Sequence, residues 1–383
     1  VLAILILLAG LATRAEATDS VPGYSVTLRQ SVAAGVEHLQ LVSSTPEDVH
    51  VAHLLPGSGI RLSVVESHGL IAQSRTNLQR PDALCRAVNC LVAVNGDFIN
   101  GSAQPYGGVA VDGVLLRSPG LGHQQFWVGT DGGFGAGWLG FSGRVADRTG
   151  AGFAVTGLNA DRGKDSVTVY TSAYGTKTPK GKGLVELVAR AVDPSQVARL
   201  GSTASLSLLQ VKANSTGGTP IAPGTVVISG QGKGGSAQVQ ALWDRRAAIG
   251  SAATLSVDTS PRVQKTIGVN PVVLLGGRRV FPGSGSFITG QQPRTLFAWN
   301  PAGDAWLITV DGRQPSSKGW TIAEAADFAA RLGATSAVNF DGGGGTTFVV
   351  QGNIVNRPSD NAKPGKPGTV RGAANVLAVV PAG

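Results

Sequence analysis

Ala334–Phe348 reads ATSAVNFDGGGGTTF. An apolar run, Ala337 to Phe340, ends in Asp341; four glycines, Gly342 to Gly345, follow; two threonines then lead into a new apolar run. A strand of this kind drives a carboxylate to its C-terminal end. Glycines are used where backbone must take positive φ or lie against a bulky group. The same rhythm recurs upstream, where Leu91–Val94 ends in Asn95-Gly96-Asp97, Val272–Leu275 in Gly276-Gly277, and Ala305–Val310 in Asp311-Gly312-Arg313. Short β-branched runs between glycine-rich turns predict a sheet-dominated protein.

The chain has 383 residues, 42% of them apolar, with 55 Gly and 20 Pro. That is enough for a large core and too turn-rich for long helices. The clearest helix is Trp320–Gly333: Thr321 and Glu324 form a capping box, Ile322, Ala325, Ala326, Ala329 and Leu332 line one face, and Gly333 stops it. A second helix is expected over Gln238–Ile249, and a short one within Thr76–Cys90. The expected class is α+β, a mixed, mostly β core with few helices. Residues 18–142 and 259–383 form the two parts of the main unit, and 143–258 a β-rich subdomain packed on it. Gly230-Gln-Gly-Lys-Gly-Gly235 spells a dinucleotide-loop pattern. It lacks the acidic residue about twenty positions on and the βαβ setting, and is read as a turn.

Val1–Leu11 is almost wholly apolar, too short to span a membrane, and precedes Ala15-Glu16-Ala17. This reads as a secretory leader, residues 1–17, cleaved before Thr18. No later segment is a transmembrane candidate. The two cysteines, Cys85 and Cys90, fit an exported chain with one small disulfide loop. The net charge of +9 survives removal of the leader, which carries one Arg and one Glu. Lys and Arg are dispersed without a nucleic-acid motif, so an anionic envelope polymer or a phosphate-bearing substrate is the better match. Trp138, Trp243, Trp299 and Trp306 lie in or beside apolar runs and are expected in the core, while Trp127 and Trp320 are left open to sugar stacking.

Taken in order, Asn95-Gly-Asp97-Phe98, Gly276-Gly277, Pro293-Arg294-Thr295, Val310-Asp311-Gly-Arg313, Asn339-Phe-Asp341-Gly-Gly-Gly344 and Val355-Asn-Arg-Pro-Ser-Asp360 resemble the phosphodiester glycosidase family, from about Ile60 to the C-terminus. The glycine run ends in Gly345-Thr346 where relatives commonly carry a serine after three glycines. The resemblance implies an exported hydrolase cutting the glycosidic bond of glycosyl phosphodiesters. The alternatives are P–O cleavage by a phosphodiesterase, or a non-catalytic carbohydrate- or phosphate-binding envelope protein.

The roles follow from the chemistry. A phosphate monoester leaves readily, so the site needs cations for phosphate and a carboxylate for an oxocarbenium-like transition state or for water. Asp341 and Asp311 suit the catalytic role; Arg294 and Arg313 suit phosphate, which guanidinium binds bidentately. Thr295, Asn95 and Asn339 are assigned to substrate hydroxyls, and Gly342, Gly343, Gly344 and Asp360 to the rest of the binding site. Asp97, Asp311 and Asp341 offer oxygens for a hard cation such as Ca²⁺, Asp97 being the candidate metal ligand, although no ligand-spacing signature is present.

Overall fold

The computed structural model describes residues 21–120, 122–363, 366 and 368–382; the expected leader lies outside the described residues. The chain is mostly β, with four α-helices among the described residues.

The central feature is an eight-stranded sheet whose middle strands are Glu47–Leu54, Ala305–Val310, Arg294–Trp299 and Ser336–Asn339, antiparallel throughout. Arg294–Trp299, Ala305–Val310 and Ser336–Asn339 are buried along their whole length, which is why apolar residues dominate them without an inside–outside alternation. Their side chains divide by strand alternation. Leu296, Ala298, Ile308 and Ala337 pack on the helix Ile322–Arg331, through its Ile322, Ala325, Phe328 and Ala329. Phe297, Leu307 and Val338 point the other way, joining Val92, Val94, Phe348 and Leu377 of a second sheet. Thr321 and Glu324 form the expected reciprocal cap, and the alanines let the helix lie close. Burying Phe328 or Ile322 contributes about 1.5–3 kcal/mol each.

The second sheet has five strands, in the order Asn353–Ile354, Phe348–Val350, Val92–Asn95, Asn375–Pro381 and Ile60–Glu66. A further five-stranded sheet, built on Val263–Val269, adjoins it. Every strand between Gly140 and Ser260 belongs to a separate eight-stranded sheet, whose core runs through Val145, Leu187, Ile228 and Leu255. Glu47–Leu54, which carries His50 and His53, and Val263–Val269 are strands that sequence reading passes over.

Three expectations about local structure change. The helix expected from Gln238 begins at Gly232, so the glycine pattern spans a strand end and a first helical turn. A Cβ on Gly235 would lie 2.2 Å from Ser166 O, and Gly234 N–H donates to Asp165 Oδ1 at 3.0 Å. The glycines serve close packing, and a carboxylate of the chain itself occupies the helix start, where a phosphate would bind. Trp138, expected in the core, is 64% exposed, and Trp320 is buried. Trp243 is half-buried under the Arg246 guanidinium. Cys85 and Cys90 form the expected disulfide, with Cα atoms 5.0 Å apart.

Candidate active site

Register brings the chemistry to one end of two sheets. Arg294 pairs with Val310, so Asp311 and Arg313 emerge beside it, and Leu296 pairs with Asn339, which places Asp341 next. In the second sheet, Asn95 pairs with Val376 and Val94 with Phe348, bringing Asn95 and Asp97 to the same region. Asp341 is pinned between the sheets: its N–H donates to Gly96 O at 3.0 Å, and its carbonyl accepts from Asn95 Nδ2 at 2.7 Å.

Each glycine after Asp341 meets a different group. A Cβ on Gly343, at φ +58, would lie 2.8 Å from Arg313 Nη2; on Gly344, 1.8 Å from Asp360 Oδ1; on Gly345, 2.8 Å from Asp341 Oδ2. The loop therefore makes room first for the chain's own Arg313, Asp360 and Asp341. Arg313 itself has φ +60, a left-handed conformation that costs a non-glycine residue on the order of 1 kcal/mol.

Two clefts meet at Asp341 and Arg371. One, about 350 Å³, is lined by Asn95, Asp97, Arg75, Leu78 and Ile99 together with Asp341. The other, about 450 Å³, is lined by Arg294, Arg313, Arg371, Gln292, Phe287 and the loop Gly342–Gly344. Burial pushes the Asp341 carboxyl up to about 6, against the pull of the Gly342 N–H and of Arg371, Arg75 and Arg313. Asp97 is pushed up to about 7 by burial; the Gly107 N–H and Arg117 oppose this, and Asp341 adds to it. Its Oδ2 accepts from Gly107 N at 2.6 Å, and its buried Oδ1 has no partner among the described residues.

The remaining predicted residues divide into those that line the clefts and those that brace them. Arg294 donates to the carbonyls of Trp320 (3.0 Å), Phe287 (2.7 Å) and Gly290 (2.9 Å). It is buried, and burial together with Arg313 lowers its pKa to about 10. It thus holds the 287–290 turn while lining the cation cleft. Asn95 Oδ1 accepts from Thr295 Oγ1 (2.8 Å) and Thr347 N (3.0 Å), so Thr295, fully buried, braces Asn95. Asn339 donates to Asn270 O and Phe340 O and is also fully buried. Thr295 and Asn339 line neither cleft. Asp360 pairs with Arg371.

Asp311, expected beside Asp341, is placed otherwise. It is buried, accepts from Asn356 Nδ2 (2.8 Å) and Arg357 N (2.7 Å), and lines neither cleft. Asn356 in turn donates to Thr346 O and accepts from Phe348 N. Asp311 thereby secures the far end of the glycine loop. It does not converge with Asp97 and Asp341 on a cation, and among the described residues no group of three or more His, Cys, Asp or Glu is placed to hold a metal. Sequence reasoning missed Arg75 and left Arg371 without a role. Both are ordinary surface arginines in sequence, and only long-range folding sets them beside Asp341.

Comparison with known proteins bears on this site. Residues 201–380 match the phosphodiester glycosidase family. The matched glycosidase region holds Arg294, Asp311, Arg313, Asp341 and Arg371, while Arg75, Asn95 and Asp97 come from before it. Over 77 residues the chain is 34% identical to the N-acetylglucosamine-1-phosphodiester alpha-N-acetylglucosaminidase of Bos taurus, a stretch that is 20% of this chain and 14% of the bovine protein. The human counterpart is 32% identical over 77 residues, 15% of its length. Among solved structures, a hypothetical protein from Synechocystis superposes with TM-score 0.68 at 21% identity, over 90% of this chain and 62% of that one. A protein from Burkholderia pseudomallei K96243 gives 0.65 at 22%, over 90% and 74%. These two structures share this chain's fold.

Proposed function

We propose that the chain is an exported hydrolase that cleaves the glycosidic bond of a glycosyl phosphodiester, releasing free sugar and a phosphomonoester. The observation that carries this reading is the position of Asp341 at the junction of two unlike clefts, one holding Asp97 and Asn95, the other Arg294, Arg313 and Arg371. The glycosidase match over residues 201–380 supports the reaction class. The apolar leader and the Cys85–Cys90 disulfide support export.

In this reading the sugar occupies the Asp97 cleft and the phosphate the arginine cleft, with the anomeric carbon beside Asp341. Ionised Asp341 stabilises the positive charge that develops at that carbon as its bond to the phosphate oxygen breaks. The arginines hold the departing phosphate, whose low basicity removes the need for strong protonation. Asp97 serves as the second carboxylate and takes the proton of the attacking water. Asp311 acts as a positioning residue through Asn356.

The test is product analysis on a panel of glycosyl phosphodiesters, with Asp341→Ala as control. Free sugar and a phosphomonoester from the native chain, and a rate at least a hundredfold lower in the variant, support the assignment. Release of sugar 1-phosphate means P–O cleavage instead, and binding of the diester without any product means a non-catalytic protein.

A further inference from the structure

A third concavity, about 360 Å³, opens on the far side of Arg313. Among the described residues it is lined by Arg313, Gln314, Arg357, Lys363 and Lys366, together with Pro315, Ser316 and Ala362. Of its described lining residues, four are cations and none is a carboxylate. Among the described residues, Arg313, Arg357, Lys363 and Lys366 make no ion pair with Asp or Glu.

The cations are held in place by backbone. Gln314 Nε2 donates to Arg357 O at 2.7 Å, Arg357 N–H is anchored on Asp311, and Lys363 and Lys366 are bridged main chain to main chain. Arg313 belongs to both this concavity and the cation cleft beside Asp341, with its Nε donating to Gln292 Oε1 at 2.6 Å. Unpaired cations concentrated in a concave wall raise the local concentration of anions. The sharing of Arg313 makes the positive surface continuous from the reacting phosphate outward.

We infer that this concavity is a second anion subsite, which takes the next phosphate of an aglycone built from repeating phosphodiesters, such as a polyol phosphate chain. The inference rests on the glycosyl phosphodiester reading of the neighbouring cleft. It gives the substrate class: a sugar joined through phosphate to a polyanionic chain rather than to a small neutral alcohol. Arg313 is the hinge between the two phosphates, while Arg357, Lys363 and Lys366 meet only the second.

The test uses the full chain and the triple variant Arg357→Ala/Lys363→Ala/Lys366→Ala, which changes exposed side chains only. Two substrates are compared, a glycosyl methyl phosphodiester and the same glycosyl phosphate carried on tri(glycerol phosphate). Expected is an unchanged kcat/KM on the methyl diester and a loss of about tenfold or more on the longer substrate, diminishing as salt is raised. Equal kcat/KM of native chain and variant on the longer substrate overturns the subsite. Calorimetry with tri(glycerol phosphate) reads the subsite without turnover, and the variant should bind about tenfold more weakly. If neither substrate is cleaved but this difference persists, the reaction assignment fails and the subsite stands. If inorganic triphosphate binds as tightly as tri(glycerol phosphate), the ligand is a free oligophosphate and the polymer assignment is overturned.

Discussion

Asn95 donates its side-chain amide to the main-chain carbonyl of Asp341 at 2.7 Å, across 246 residues of sequence. The same side chain accepts from Thr295 and Thr347, so one buried amide ties the ends of two sheets to the glycine loop. Asn95→Ala leaves three partners unsatisfied. It should destabilise the fold by about 1–3 kcal/mol, measured by urea unfolding. In the proposed mechanism it should also lower kcat on a glycosyl phosphodiester more than it raises KM, because Asp341 is displaced while the arginine cleft keeps its shape.

Gly343 sits beneath the Arg313 guanidinium at positive φ. Gly343→Ala strains the backbone by about 1 kcal/mol and pushes Arg313 out of the cation cleft. The expected result is a folded protein whose KM for the diester rises by about tenfold. Unchanged KM in a variant of normal melting temperature would separate Arg313 from phosphate binding.

The rate should depend on pH through the two carboxylates that share a cleft. In the proposed mechanism Asp341, at about 6, must be ionised to stabilise positive charge, so kcat/KM should fall below that value. Asp97, at about 7, lies close enough to interact with it, so the limbs belong to the pair. As the proposed base for water, Asp97 should steepen the acid limb, which extends up toward pH 7. Asp97→Asn should remove that component and lower the plateau by at least tenfold, as a pH–rate series on the native and variant chains would reveal.

Stability should vary with pH in the sense set by Glu66. Burial, with Asp97 adding its charge, pushes Glu66 up to about 8. The folded chain thus keeps a proton that the unfolded chain gives up near pH 4.5. Stability is therefore fully present below that value and lost as pH rises through 8. Glu66→Gln should raise the melting temperature by several degrees at pH 9 and change it little at pH 5. At the acid end the sign reverses. His38 and His50, in contact at 3.0 Å, are lowered by burial to about 4 and 3, so stability falls as pH drops from 6.5 toward those values.

Much of this molecule is legible locally. The apolar run Leu296–Trp299 and the nearly continuous one Ala305–Val310 announce strands covered on both faces. The Thr321–Glu324 cap and the Ala325-Ala326-Ala329 stripe announce the helix that covers one of them. Cys85 and Cys90 are near enough in sequence for a single helical turn to bring them together. Such features arise from interactions within a few residues, so the sequence by itself determined them, along with the singular character of the Asp–Gly loop. The strand Glu47–Leu54 escaped because its histidines interrupt the apolar pattern, although the fold buries them.

Only the tertiary structure decided which carboxylate accompanies Asp341. Asp97 and Asp311 look alike in sequence, each at the end of an apolar strand and next to a glycine. Their environments come from distant segments. Asn356 and the Arg357 N–H satisfy Asp311 and turn it into a brace, whereas the pairing of Asn95 with Val376 swings Asp97 to the cleft that Asp341 lines. A carboxylate's role depends on its solvation and on the groups that satisfy its oxygens, and both are set by strand register across the two sheets.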